Sequence, residues 1–352
     1  MGRRPDVALL GLCVLAALAG CRGPAELRGA RVAVRAENLT VTPSTGPVTH
    51  VLVHNPGSRT FRGRLVADFP RGWKMNRSQQ DLAIPPGQTR RVAFAIERGT
   101  DAASNSYAVR LRVLGGASTI TRTQRIVCAS APYFKPTIDG RIEDWKDALP
   151  AAFLTRGKKT VISTYWSRRS FSVLVAVEED ALIAMPDGDG AGGFDAVQIA
   201  VAPREAKTPE SPAGTAQRYE FLLAATKAGG RCFALLRYGQ SVAVAKRPRR
   251  LGGLELAAAD VAVARSGGVT YYECSIPLKA MPKIRPEPGR EFCFSVLVHD
   301  PDGTGLRDWG RAAGLWPWQR SRLAWCSWLG AKWPDRPPFD NKIEWGFCSS
   351  KY

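Results

Sequence analysis

The chain has 352 residues, of which 45% are hydrophobic and 23% charged, a composition typical of a globular protein and not of a disordered one. Its length is sufficient for two domains at roughly 100–200 residues per domain. Lys and Arg number 50 against 31 Asp and Glu, so the formal net charge is +19 and such a surface attracts polyanions. A generally Arg-rich composition with no polyanionic partner is the alternative. No nucleic-acid-binding motif accompanies the scattered basic residues, so nucleic acid is not an expected partner.

The N-terminal segment has the pattern of an export signal. Two arginines precede an apolar run over residues 7–19, which is too short to span a bilayer comfortably. The run ends in Leu-Ala-Gly-Cys, and small residues before a cysteine resemble a bacterial lipobox, in which Cys21 carries the lipid. That resemblance implies a signal peptide over residues 1–20, a tether over 21–30 and a lipid-anchored protein of the cell envelope. An ordinary signal peptide is the alternative.

Export would also determine whether the cysteines can form disulfides. Of the 8 cysteines, Cys13 leaves with the signal and Cys21 carries lipid, so six remain in the mature chain. An even number outside the cytoplasm permits disulfides, and a Cys326–Cys348 bond would join the C-terminal tail. Buried free thiols inside strands are the alternative. There is no Cys-x-x-Cys pair and only 3 His, so a zinc site is not expected.

A first β-sandwich is predicted over residues 31–130. Period-two alternation of apolar and polar residues marks strands at 31–36, 48–54, 64–69, 90–96, 107–114 and 120–127. Turn signals such as Asn55-Pro-Gly57 separate them, and no helical period intervenes. Short strands at this spacing predict an Ig-like domain. It carries no catalytic constellation, so we expect it to act as a spacer.

A second, longer β pattern follows the sequence Pro136-Thr-Ile-Asp-Gly-Arg-Ile-Glu-Asp-Trp145. Asp-Gly is a turn pair, and Glu-Asp-Trp begins a short amphipathic helical turn. Strands are predicted after it at 160–167, 170–177, 195–202, 218–225, 232–238, 268–277 and 290–299.

These segments, in this order, resemble family 9 carbohydrate-binding modules. The resemblance rests on the Ile-Asp-Gly opening with its Trp, a strand ending in Tyr165-Trp166, the strand Asp195-Ala-Val-Gln, the run Glu273-Cys-Ser-Ile-Pro277 and the turn Asp300-Pro-Asp-Gly303. It implies an all-β chain of two sandwiches. The second, over residues 131–352, would be a jelly-roll-like module that binds carbohydrate without catalysis.

Most of the 10 tryptophans fall in a Trp-rich C-terminal tail. The resemblance implies that Trp333 is one side of an aromatic clamp on a sugar, but Gly192 stands at the position of the other Trp. Gln198, which stands where the family usually has Glu, is a further candidate to bind sugar hydroxyls. Phe194, Trp316 and Trp318 are the candidate replacements for the missing ring. The alternative is that these rings close the core, which would make the protein a purely structural scaffold.

Two aspartate-rich turns are candidate Ca²⁺ sites, since hard cations take carboxylate oxygens and family 9 modules often hold structural Ca²⁺. The candidate ligands are Asp187 and Asp189 in one turn, and Asp300 and Asp302 in the other. Turn-forming Asp-Gly pairs are the alternative.

Two further functions receive less support from the sequence. No hydrolase motif is present, so an enzyme is not expected. Some related sandwiches bind haem for electron transfer, and Met185 with His299 are the residues that would serve as axial ligands here.

Overall fold

The computed structural model describes residues 32–116, 118–187, 192–204, 214–245, 247–316, 325–333 and 342–350. Cys21, Asp189 and Trp318 lie outside the described residues. As expected from the sequence, the chain is almost all β and forms two β-sandwiches. None of the described helices combines the length and the apolar character needed to cross a bilayer.

The first sandwich consists of two 4-stranded sheets in the orders β1-β2-β6-β4 and β5-β3-β7-β8. Its strands are β1 (Ala33–Ala36), β2 (Val48–His54), β3 (Phe61–Asp68), β4 (Lys74–Met75), β5 (Gln79–Ile84), β6 (Thr89–Arg98), β7 (Tyr107–Gly115) and β8 (Ser118–Ile126). Alternate residues such as Leu65, Phe94 and Val109 are fully buried between the sheets. This is the period-two pattern that the sequence carries.

The second sandwich packs a 5-stranded sheet, β10-β11-β12-β17-β16, on a 7-stranded sheet, β15-β14-β13-β18-β20-β9. Its strands are β9 (Ser130–Ala131), β10 (Ala151–Thr155), β11 (Lys158–Trp166), β12 (Ser170–Glu178), β13 (Ala196–Pro203), β14 (Tyr219–Thr226), β15 (Gly229–Leu236), β16 (Asp260–Ser266), β17 (Val269–Pro277), β18 (Glu291–Asp300), β19 (Gly305–Asp308), which pairs with β18, and β20 (Ile343–Phe347). The short helices are α1 (Val242–Ala245) and α2 (Trp309–Ala312), with 3-10 turns at Pro43–Thr45, Glu143–Trp145 and Leu278–Ala280.

Strands of the 7-stranded sheet are buried on both faces. Val197 and Ile199 of β13 face the core between the sheets. On the other face, Ala200 packs against Trp325, and Gln198 donates a hydrogen bond to the carbonyl of Cys326. The C-terminal tail therefore covers the outer face of this sheet, which explains why β13 is a nearly continuous apolar run and not an alternating one.

The opening segment of the second domain packs on the outer face of the 5-stranded sheet. Trp145 stacks on Tyr165 with ring centroids 5.1 Å apart, and its Nε1 donates to Glu273 Oε1 at 2.6 Å. The other oxygen of Glu273 accepts from the Gly140 N–H at 2.7 Å. Gly140 has φ +84, so the turn here requires a residue that tolerates the left-handed region.

The six cysteines among the described residues are free thiols, so the Cys326–Cys348 disulfide suggested by the sequence is not formed in this structure. The Cys326 N–H bonds to Glu220 of β14, whereas the Cys348 N–H bonds to Ala131 of β9. Those strands lie four positions apart in the sheet order, or about 19 Å at the usual strand spacing, which is too far for a disulfide. Burial raises the pKa of the Cys274 thiol, which is hydrogen-bonded to Cys232.

A cluster of charged side chains joins the two sandwiches. Arg35 of β1 pairs with Glu344 of β20 at 2.7 Å, and both side chains are buried. Glu37 accepts from Arg91 at 2.7 Å and from Arg204 at 3.2 Å. Burial raises the pKa of Glu344, but Arg35 and Arg204 outweigh it and hold that pKa below its ordinary value. The first sandwich is therefore fixed directly onto the second.

His50 in this junction predicts an acid-sensitive stability. Burial and the neighbouring Arg91 lower the pKa of His50 to about 4. The unfolded chain takes up a proton near pH 6.5 and the folded chain does not, so stability falls as pH drops from 6.5 towards 4. We expect this residue to account for about 1–2 kcal/mol lost between pH 7.5 and 5.

Urea unfolding at several pH values of the wild type and His50→Gln measures this contribution. The variant should lose less stability on acidification than the wild type. Glu37, Glu291, Glu344, Arg91 and Arg204 surround His50 in both proteins, so their own titration is shared by the two curves. Parallel curves would contradict a half-buried His50 that stays neutral in the folded chain.

Candidate functional site

The structure brings several residues singled out in the sequence together on the outer face of the 7-stranded sheet. Phe194 precedes β13, His299 is near the end of β18, and Trp328 and Trp333 come from the tail. The His299 ring lies edge-on to Trp328 and Trp333, with centroids 4.5 and 5.3 Å away. Phe194 is 6.1 Å from Trp328. We call this group the tail cluster.

A buried polar network supports the tail cluster. His299 Nε2 lies 3.1 Å from Gln198 Oε1, and Gln198 Nε2 donates to Glu220 Oε2 at 2.7 Å. Arg218 donates to the other oxygen of Glu220, and Arg218, Gln198 and Glu220 are all at most 1% exposed. Because the Gln198 amide nitrogen is the donor to Glu220, its oxygen accepts from His299, which fixes the Nε2–H tautomer. Burial lowers the pKa of His299 to about 3, so the ring is neutral.

This network gives a physical reason for Gln at position 198, where the resemblance implies Glu. A carboxylate there would stand against buried Glu220 with one guanidinium, that of Arg218, beside them. Two adjacent buried carboxylates repel each other and are costly to ionise. The amide instead donates to Glu220 and to the carbonyl of Cys326, so Gln198 joins the sheet to the tail.

The tail cluster is largely closed to solvent. Phe194 is 2% exposed, Gln198 0% and Trp328 3%, while Trp333 is partly exposed. The cavity beside them measures about 90 Å³, well below the roughly 300–1,000 Å³ usual for small-molecule sites. The face that would carry an aromatic clamp is therefore occupied by the protein's own rings.

The other late tryptophans are also mainly core residues. Those that are buried are Trp309, Trp316, Trp325, Trp328 and Trp345. Trp316 lies away from the tail cluster, 6.3 Å from His54 of the first sandwich, so it does not replace the missing ring of the clamp. Trp318 lies outside the described residues.

The geometry gives no support to haem ligation by Met185 and His299. His299 Nε2 is bonded to Gln198, and the adjoining cavity of about 90 Å³ cannot contain a porphyrin. Met185 packs in the apolar cluster with Phe194 and Trp328.

Three acidic side chains converge where β12, β13 and β18 meet the loops at one end of the sandwich. Ligand oxygens of Glu179, Asp195 and Asp300 all lie within 4.8 Å of one another, and the three residues are buried. Burial raises the pKa of Glu179 and of Asp195 to about 7 each, and the neighbouring carboxylates add to that rise. Burial also raises the pKa of Asp300, but Thr304 and Arg307 outweigh it and lower that pKa below its ordinary value.

This acidic cluster fits a hard cation. Glu179 Oε2 and Asp195 Oδ1 are buried and accept no hydrogen bond from the described residues. The Tyr272 hydroxyl is also buried and has no hydrogen-bond partner among the described residues. Burial raises the pKa of Tyr272, and the three nearby carboxylates raise it further. Oxygen donors of this kind suit Ca²⁺, which would screen the repulsion between the carboxylates.

Of the four aspartates expected to bind Ca²⁺, the structure puts only Asp300 in this cluster. Asp187 is exposed and pairs with Lys227 at 2.6 Å, Asp302 is exposed, and Asp189 lies outside the described residues. Glu179 and Asp195 were not singled out as ligands from the sequence, because an acidic residue next to a predicted strand is common. Their signal was that one acidic residue follows β12 and another precedes β13, which puts both at the same end of the sandwich although the two strands lie in different sheets.

The second sandwich also has an open groove that the sequence did not reveal. It measures about 400 Å³ and is lined by Tyr219, Phe221, Ala234, Arg237, Tyr238, Leu256, Ala258, Pro277, Lys279, Ala280 and Pro282. The lining comes from β14, β15 and the turn after β15 on one side, and from the end of β17 on the other. We call it the tyrosine groove.

Two tyrosines form the aromatic part of the tyrosine groove. The rings of Tyr219 and Tyr238 have centroids 6.0 Å apart at an interplanar angle of 37°. Tyr238 is 38% exposed, whereas Tyr219 is buried and its hydroxyl accepts from the Lys283 N–H at 3.1 Å. The Lys283 ammonium lies 5.9 Å from the centre of the Tyr238 ring. The signal in the sequence was a strand ending in the turn Arg237-Tyr-Gly-Gln240.

No protein-family model matches the chain, and no curated protein matches it. Among solved structures, it is similar to a family 9 carbohydrate-binding module from Caldicellulosiruptor kristjanssonii in complex with cellotriose, at 13% identity and a TM-score of 0.36, covering 51% of this chain and 80% of that one. A structure of a family 9 module from the same organism in complex with glucose has 14% identity and a TM-score of 0.34, covering 51% and 82%. At these scores the function has to be argued from this chain's own residues.

Proposed function

We propose that this chain is an exported, lipid-anchored protein of the cell envelope whose second sandwich binds carbohydrate without catalysis. The observation that carries the proposal is the tyrosine groove, which is open, about 400 Å³ in volume and lined by an exposed tyrosine ring. Its volume falls in the usual range for ligand sites.

Tyr238 provides the kind of surface that a sugar ring needs. An exposed aromatic face offers apolar contact to the C–H side of a pyranose, and the phenol oxygen can hydrogen-bond with a hydroxyl. The walls are held by backbone hydrogen bonds, since the Gly239 N–H donates to Ala216 and the Leu256 N–H to Cys232, each at 2.8 Å. A site with little motion to lose on binding retains more of its contact energy.

Other surfaces fit a sugar less well. The tail cluster is closed, so we assign it a structural role in covering the 7-stranded sheet, with Trp333 as its partly exposed edge. A depression of about 520 Å³ at the opening segment is lined by Thr137, Asp139, Arg141, Glu143 and Asp144 and offers no ring.

Binding to immobilised glycans, measured for the wild type and two single variants, tests this function. We expect Tyr238→Ala to weaken binding about fivefold to tenfold, because losing the contact of a sugar with one exposed aromatic ring costs on the order of 1–1.4 kcal/mol. Trp333→Ala should leave affinity within about twofold. Loss of binding in Trp333→Ala alone would move the site to the tail cluster. Binding by no glycan would favour the purely structural scaffold.

The proposed lipid anchor is supported by the apolar run and the Leu-Ala-Gly-Cys sequence at its end. Acyl chains add about 0.8 kcal/mol of membrane affinity per buried CH₂, so several chains hold a protein firmly. Palmitate labelling in a bacterial host should mark the wild type and not Cys21→Ser. Equal labelling, or none in either protein, would overturn the anchor and leave glycan binding untouched.

A further inference from the structure

We propose that the tyrosine groove selects acidic sugars, and that it recognises the carboxylate of a uronic acid residue through Arg237 and Lys279. The inference rests on the proposed carbohydrate-binding function and names the class of sugar. The charged side chains around Tyr238 carry it.

The cations of the groove come from both of its walls. Arg237 belongs to the turn after β15, and Lys279 lies in the 3-10 turn after β17, so a ligand lying along the groove passes between them. Lys283 adds a third cation beside the Tyr238 ring. All three side chains are exposed.

These cations have no ion-pair partner among the described residues. The described lining contains no Asp or Glu, and no carboxylate of the described chain forms an ion pair with Arg237, Lys279 or Lys283. Elsewhere on this sandwich, exposed cations do pair, as Lys227 does with Asp187 and Arg231 with Glu255. The groove therefore has a local positive potential, which favours an anionic ligand.

A carboxylate fits this arrangement better than a neutral sugar does. The Arg237 backbone is held by the Gln240 side chain, whose Oε1 accepts from the Arg237 N–H at 2.8 Å. A guanidinium on that fixed backbone can donate two parallel hydrogen bonds to one carboxylate, and the ammonium of Lys279 can neutralise it from the other wall. The pyranose ring would then lie on Tyr238, and Lys283, on a flexible stem, would be free to shift towards the sugar.

A matched pair of ligands tests the inference. Trigalacturonate and its methyl ester share ring, size and hydroxyls and differ in charge. By calorimetry at low salt, the acid should bind about tenfold tighter than the ester, because surface charge contacts each add a modest amount. The preference should shrink as NaCl rises, since exposed charges are screened. Sulfated and phosphorylated trisaccharides, run alongside, distinguish a carboxylate site from one for any anion.

Variants separate the possible outcomes. Arg237→Gln and Lys279→Gln should each reduce the ratio of acid to ester affinity to about threefold or less, whereas Arg141→Gln, at an exposed arginine outside the groove, should leave that ratio at about tenfold. Equal binding of acid and ester would overturn the acidic-sugar inference while the carbohydrate function stands. Binding of neither ligand, nor of any neutral glycan, would overturn the proposed function. An acid preference that survives both variants, or that extends equally to sulfate and phosphate sugars, would also overturn the inference.

Discussion

Replacing Glu344 with glutamine is expected to lower the free energy of unfolding by about 3–5 kcal/mol. The change leaves Arg35, which is 0% exposed, without the charge that it pairs with at 2.7 Å. An unpaired charge in a protein interior is far more costly than an ion pair that was never formed. Arg204, 3.7 Å from Glu344, would lose part of its compensation as well.

Urea unfolding followed by tryptophan fluorescence measures the effect. The double variant Arg35→Met, Glu344→Leu serves as a control, because replacing a buried pair by apolar side chains is often neutral or stabilising. Asp81→Asn, which breaks an exposed pair with Arg64, should cost less than about 1 kcal/mol. Since the pair joins the two sandwiches, we also expect the sandwiches of the Glu344→Gln variant to unfold in two separate transitions, where the wild type unfolds in one. A loss below 1 kcal/mol would mean that the domains do not depend on this contact.

Adding Ca²⁺ is expected to raise the stability of the chain by about 2.7 kcal/mol once the free ion reaches 100 times its dissociation constant. The expectation follows from the acidic cluster of Glu179, Asp195 and Asp300, where buried oxygens lack hydrogen-bond donors among the described residues. Asp195→Asn should remove most of the gain, because the amide lacks the charge. Its remaining carbonyl oxygen can still accept from the Ile183 N–H, as Asp195 Oδ2 does at 2.5 Å.

Thermal unfolding in EDTA, Ca²⁺ and Mg²⁺ provides the measurement. Mg²⁺ should have a smaller effect, because it sheds its water reluctantly and demands a stricter geometry. Asp187→Asn is the matched control, since Asp187 is exposed and paired with Lys227. If Asp187→Asn abolishes the response and Asp195→Asn keeps it, the ion binds in the loop that the sequence favoured. No response in the wild type would contradict a Ca²⁺ site in the acidic cluster.

The fold was largely predictable because most strands carry their burial pattern in the sequence. The prediction of a strand over residues 48–54 agrees with β2 (Val48–His54), and the prediction over 170–177 falls within β12 (Ser170–Glu178). Strand β5 (Gln79–Ile84) was missed because it opens with three polar residues, Gln-Gln-Asp, none of which is buried. Strand β20 (Ile343–Phe347) was missed because it sits in the Trp-rich tail, where the rings suggested an irregular surface.

The candidate site was less predictable, because the sequence does not show which aromatic rings the C-terminal tail covers. Phe194, Gln198 and Trp333 were selected from the sequence, and the structure does bring them together. Whether such rings are open or covered depends on where the tail packs, and nothing in the tail's composition indicates that. The tyrosine groove was invisible for a different reason. Tyr238 and Lys279 are far apart in the sequence and line the same groove only because β15 and β17 lie in facing sheets.

The most direct test of the central claim is a crystal structure of the chain with bound trigalacturonate. We expect one sugar ring stacked on Tyr238, with its carboxylate between Arg237 and Lys279, and the tail cluster unchanged. A sugar bound against Trp333 with the tail displaced, or crystals soaked at saturating ligand with an empty tyrosine groove, would contradict it.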